Sequence, residues 1–210
     1  MVDNLCDRTI GRDSTVACFY FDFAAQNEQS PTSMLGALLK QLVCRSEETP
    51  EEISREYQIQ RKSIGGEAPL LSDIVKMLQI TSSKKFTFIC IDALDECVAR
   101  YRTKILDSLN QILQQSPGTR IFVTGRLHVL PEIRRCLAGR ITSIPISPKR
   151  YDVITYLHDR LDKDTVPDAM DGSLKADILK KIPDVSKMYV EAIARGSCLN
   201  LSANRWLGFC

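Results

Sequence analysis

Apolar positions along the chain fall into two alternating kinds of run. Residues 15–23 (Thr-Val-Ala-Cys-Phe-Tyr-Phe-Asp-Phe), 86–91 (Phe-Thr-Phe-Ile-Cys-Ile) and 120–124 (Arg-Ile-Phe-Val-Thr) are short blocks rich in β-branched and aromatic residues. Such blocks suit strands buried on both faces of a parallel sheet. Residues 141–146 are a weaker block of the same kind. Between them the period lengthens to that of a helix. Met34, Leu35, Leu38, Leu39, Leu42 and Val43 form a stripe over 31–44, opened by Ser30 as N-cap and Pro31 in the first helical position. Leu70, Leu71, Ile74, Met77 and Leu78 mark 69–79, and Ile105, Leu106, Leu109, Ile112 and Leu113 mark 100–115, closed by Ser116-Pro117-Gly118. Residues 2–8 read as the end of a helix, 45–67 as a charged surface helix broken at Gly65-Gly66, and 131–138 as a short helix.

Short connections between alternating strands and helices predict an α/β fold with a parallel, doubly wound sheet. After Ser147-Pro148 the period stays helical, with Val153, Ile154, Leu157 and Leu161 on one face and a second helix near 173–182. The predicted organisation is therefore an α/β unit over 1–147 and a small helical region over 148–194. The tail, 195–210, carries Asn, Ser, Gly and Trp206 and matches neither pattern.

The central strand block ends in acids. Asp92 falls where the strand would leave the sheet, the edge at which open α/β sheets bind ligands, and Asp95 and Glu96 follow within five positions. Isolated carboxylates are costly to desolvate, so a hydrated Mg²⁺ is a natural occupant, held by one or two carboxylates and by phosphate oxygens. The blander alternative is a set of acids that cap the next helix or face water. Arg126 ends the 120–124 block at the same carboxyl edge.

Composition narrows the class of partner. At 210 residues and 44% hydrophobic, the chain is long enough for one sizeable core. A net charge of +2 from 28 basic and 26 acidic residues leaves no basic excess for nucleic acid. Neither a leader-like apolar segment nor a membrane-length apolar run is present, so a soluble, cytoplasmic protein is expected. Eight cysteines occur without metal-knuckle spacing, and Cys18 and Cys90 lie inside apolar blocks; reduced thiols behaving as small hydrophobes are expected.

Asp-Ala-Leu-Asp-Glu at 92–96, an amphipathic helix, then Arg-Ile-Phe-Val-Thr-Gly-Arg at 120–126 resemble the NACHT-type signalling ATPases of the STAND group, in particular fungal, NLR-like ones. The resemblance spans about 1–190. It implies that Asp92 is the Walker B acid on Mg²⁺, that Arg126 is a sensor-type arginine near the γ-phosphate of ATP, and that Asp95 or Glu96 orients or deprotonates the attacking water. Aspartate at 95 departs from the glycine of a GTPase Asp-x-x-Gly turn.

A Walker A loop needs Gly-Lys-Ser/Thr to cradle phosphates, and none of the ten glycines is followed by lysine. The resemblance then implies a chain that begins just after that loop and lacks the family's first strand, whose place is between 120–124 and 141–146. From this follow a sheet order of 120–124, 86–91, 15–23 and a poorly held 141–146. Two function classes share this fold. One is a piece of a nucleotide-dependent oligomerisation switch, acting through protein partners or flanking domains and inactive as an ATPase by itself. The other is a non-enzymatic interaction module or decoy. An Mg²⁺-dependent phosphatase or nuclease would leave Arg126 and the strand order unexplained.

Overall fold

A computed structural model describes residues 2–9, 13–45, 69–137, 141–146, 149–163, 171–185 and 190–194, together with 51, 53–55 and 58. Helix α1 (Val2–Thr9) leads to strand β1 (Ser14–Tyr20), helix α2 (Pro31–Cys44), helix α3 (Leu71–Lys84), strand β2 (Phe86–Asp92) and helix α4 (Ala99–Gln115). Strand β3 (Thr119–Val123), helix α5 (Leu130–Cys136), strand β4 (Thr142–Ile146), helices α6 (Arg150–Asp162) and α7 (Gly172–Val185) and strand β5 (Val190–Ala194) complete the order. The fold is α/β, with β1, β2 and β3 parallel in the predicted neighbour order.

Alternation along each strand sorts its side chains between two layers. Ala17, Ile89, Ile91, Ile121 and Val123 join the main core with Leu35 and Leu38 of α2, Leu78 of α3 and Leu106 and Leu109 of α4. The opposite face is thinner. There Val16, Cys90 and Phe122 pack with Leu5 of α1, flanked by Cys6, Cys18 and Phe88.

The outer edge of β1 is covered by α2. The Gln41 amide donates to Cys18 O at 2.8 Å and accepts from Cys18 N at 2.9 Å, and Arg45 Nη1 donates to Val16 O at 2.8 Å. These are backbone groups that a further strand would otherwise use.

Strand β1 is shorter than its apolar block. It ends at Tyr20, because the Asp22 carboxylate accepts from Ala24 N and caps a single 3-10 turn over Phe23–Ala25. The larger departure lies on the far side of β3. The five-stranded order is β1-β2-β3-β5-β4, with β5 antiparallel to both of its neighbours. Ser143↔Ile193 and Ile144↔Ala192 lie within a five-residue ladder that holds β4, and Val123↔Ile193 ties β5 to β3.

Strand β4 is therefore held by a regular ladder to β5, which corrects the expectation that it is poorly held. The last residues of the expected helical region, 190–194, are a strand instead. Both corrections have one cause: unpaired backbone groups on β3 and β4 cost about 1–3 kcal/mol each when buried, and Val-Glu-Ala-Ile-Ala can supply the partners. Helices α6 (150–162) and α7 (172–185) do lie in that region; α6 contains no buried residue, and Lys175 of α7 pairs with Asp162 of α6 at 2.8 Å. The tail at 195–210, with Trp206, and the Gly65-Gly66 break lie outside the described residues.

Candidate functional site

The carboxyl ends of β1, β2 and β3 form one edge, and two turns are stitched together there. Leaving β2, the chain bends sharply at Ala93, which sits in the left-handed region at φ 53°. A non-glycine residue pays about 1–2 kcal/mol for that conformation. Thr124 holds it: its hydroxyl accepts from Ala93 N at 3.0 Å, its carbonyl accepts from Leu94 N at 2.9 Å, and its own N–H donates to Ile91 O at 2.9 Å. The Thr124 hydroxyl donates in turn to Asp92 Oδ1. The bend drops Leu94 into the core, fully buried.

Asp95 fastens the second turn. Its Oδ1 accepts from Arg126 N at 3.2 Å and its Oδ2 lies 3.3 Å from Arg126 Nε. The Asp95 side chain is 8% exposed, whereas that of Arg126 is 64% exposed. Gly125 between the strand end and the arginine is tightly enclosed: a Cβ there would stand 3.1 Å from Val129 Cγ2 and 3.4 Å from Asp95 Oδ1. Glu96 reaches the β1 side, accepting from Phe23 N at 3.0 Å through Oε2, and Phe21 N donates to Asp92 O at 3.1 Å. Exposed Tyr20, Phe23 and Leu127 surround this edge.

The four residues predicted from sequence thus come to one edge, in different states. Asp92 is exposed, with one carboxylate oxygen bonded to Thr124 and the other without a hydrogen-bond partner among the described residues. Asp95 and Glu96 are occupied in holding the loops, and the Arg126 guanidinium turns towards Asp95. Sequence reasoning missed Thr124, Gly125 and Asp22, each of which works by fixing backbone; a polar residue followed by glycine where an apolar strand ends is the signal that points to the first two.

Beneath this edge α5 is tied to α4. Arg102 Nε donates to Glu132 Oε2 at 2.9 Å and Thr103 Oγ1 to Glu132 Oε1 at 2.9 Å. Burial pushes the Glu132 carboxyl up, but the bonds from Arg102 and Thr103 and the arginine charge outweigh it and hold the carboxyl below its ordinary value. Burial drives the thiols the other way: Cys90 is pushed up to about 12 and Cys97 to about 11. The six described cysteines are all free.

Among the described residues no group of three or more His, Cys, Asp or Glu is placed to hold a metal ion. The open oxygen of Asp92 fits the single-carboxylate role, in which Mg²⁺ takes its other ligands from water and phosphate. Asp92 is the one residue here that would hold such an ion, and no glycine of the sequence is followed by the lysine of a phosphate-cradling loop.

An α/β protein with parallel strands and charged groups gathered at their carboxyl edge is consistent with the P-loop class of fold. The chain belongs to the family described as Nephrocystin 3, N-terminal, which it matches over residues 1–126. That region is associated with NACHT proteins, a loose link to NLR-like proteins. The match covers α1 to the end of β3 and closes on Arg126. No curated protein matches the chain. No helix among the described residues is long and apolar enough to cross a membrane.

Proposed function

We propose that the chain is the acid- and arginine-bearing part of a NACHT-type, nucleotide-dependent oligomerisation switch that works through protein partners in the cytoplasm and does not bind ATP alone. The observation that carries this is the edge itself: Asp92 stands open at the end of β2 while Arg126 is held in reserve by Asp95 on the neighbouring loop. Mg²⁺ on Asp92 would supply neutralisation of phosphate charge. The chain's own groups orient: Thr124 fixes the rotamer of Asp92, Asp95 fixes Arg126, and Glu96 fixes the turn at Phe23.

Without amides and a lysine to cradle phosphates, clustered acids repel a polyphosphate. Calorimetry of the 210-residue chain with Mg-ATP should show no binding, and a micromolar dissociation constant would overturn the proposal. A version carrying a strand and a Gly-x-x-x-x-Gly-Lys-Ser loop ahead of Val2 should bind. There Asp92→Ala should weaken the Mg²⁺-dependent part, and Arg126→Ala should reduce the nucleotide-driven change in assembly.

A second reading, a non-enzymatic interaction module, is favoured by the engagement of Asp95 and Glu96 in loop-holding bonds and by exposed Phe23 and Leu127 beside them. Absence of binding in the loop-bearing version would select it.

A further inference from the structure

Three thiols from three elements meet on the thinly covered face of the sheet, apart from the edge that carries the acids. Cys18 of β1 and Cys90 of β2 are register partners on adjacent parallel strands, and Cys6 of α1 packs against the same small cluster. Neighbouring strands lie about 4.8 Å apart, and register partners project to the same side, so the two Cα atoms fall inside the span of about 4.4–6.8 Å that a disulfide bridges. Cys97 and Cys136 belong to the main core, and Cys44 is exposed on α2. Accessibility sets an order of reaction. Cys18 is half-buried, and its Sγ is oriented by a 3.7 Å bond to Gln41 Oε1; Cys90 is 3% exposed and out of reach of a small molecule.

We infer that Cys18 and Cys90 form a reversible thiol–disulfide site that responds to small disulfides of the oxidised-glutathione class. Cys18 loses its proton to solvent and its sulfur attacks one sulfur of the small disulfide. That S–S bond breaks, one small thiolate leaves, and Cys18 is held as a mixed disulfide. Cys90 is buried and its thiol is pushed up to about 12, so this is the slow step: its sulfur attacks the Cys18 sulfur, the Cys18–small-molecule S–S bond breaks, and the departing small thiolate takes up the Cys90 proton. The two protein thiols give up two protons and two electrons, and the small disulfide takes the electrons.

Parallel neighbours keep their Cβ atoms near the strand spacing, at or beyond the wide end of disulfide geometry, so the bridge is readily reduced again. Tyr20 and Asp92 are the register partners one alternation further along, so closing the bridge pins together the two strand ends that frame the acid edge.

The test uses the full chain, treated with oxidised glutathione, blocked with an alkylating reagent and digested without reduction. The expected product is a cross-linked peptide pair joining Cys18 to Cys90, lighter by two hydrogens than the sum of its parts and lost on dithiothreitol. Trypsin leaves Cys90 and Cys97 on one peptide, cut at Lys85 and Arg100, so fragmentation must place the link on Cys90. The pair should persist in Cys6→Ser and vanish in Cys18→Ser, and Cys90→Ala should leave Cys18 as the mixed disulfide. The wild-type map decides even where a variant fails to fold. A map with only mixed disulfides, with no modification at Cys18, or with Cys18 linked to Cys6 or Cys97 would overturn the inference.

Discussion

The sheet half from β1 to β3 and the segment from β4 to β5 are built from similarly short elements, yet different forces hold them. In the first, each strand lies against helices whose stripes are sealed, with Met34, Leu35, Leu38, Leu78, Leu106 and Leu109 all fully buried. In the second, α6 buries nothing, Tyr151 and Tyr156 stand exposed, and the strands are held through a backbone ladder. Burial dominates the first half, and in the second the backbone ladder supplies what the described side chains of α6 do not. The family match stops at residue 126, near the same divide.

The sharpest way to break this contrast is to remove the same group from both sides. Leu106→Ala, in a fully buried position, should cost about 2–5 kcal/mol in denaturant unfolding, whereas Leu157→Ala on α6 should cost under about 1 kcal/mol. Equal losses would show that α6 is packed as tightly as α4.

Ile193→Pro attacks the ladder instead. It removes one backbone donor between β3 and β4, at about 1–3 kcal/mol for each group left unpaired. Amide exchange in β4 should rise while that in β1 and β2 stays slow. Unchanged β4 amides would mean that β5 is not what holds it.

Glu132→Gln probes the charged tie between α4 and α5 in the buried half. Because the folded carboxyl is held below its ordinary value of 4.5, its stabilisation is whole above that pH and is lost as pH falls through the depressed folded value. The variant should be less stable by about 1–3 kcal/mol near neutrality, and the gap should close in acid. A gap independent of pH would assign the loss to packing.

The smallest effect is expected at the loop. Gly125→Ala puts a methyl 3.1 Å from Val129 Cγ2, and a shift of a few tenths of an ångström should limit the cost to about 1 kcal/mol. A larger loss, with Arg126 released, would show that the Asp95 clamp depends on that contact.

Much of the buried half was legible because its signals are local and redundant. The helix over 31–44 is opened by its own serine cap and proline, and the strand at 86–91 is a nearly continuous apolar run that suits a sheet interior. The acid edge was legible for the same reason, since Asp92 interrupts that run. Thr124 was not, because its value lies in what β3 brings beside β2 and no spacing within one segment reveals it. Residues 190–194 were least legible: alanine and glutamate are good helix formers, and strand conformation was imposed by open edges on two distant strands.

The Gln41 carboxamide has a consequence for the company this protein keeps. Only a group that both gives and accepts can answer the N–H and the C=O of one residue together, and neither glutamate nor methionine has that pair of functions. The flank of β1 is therefore sheathed by the last turn of α2 and its C-cap, from Gln41 to Arg45, and a second molecule seeking to extend the sheet there must first dislodge α2 from its seat. Resistance to fibre-like polymerisation at that flank is thus encoded in a helix, far along the chain from the strand it protects.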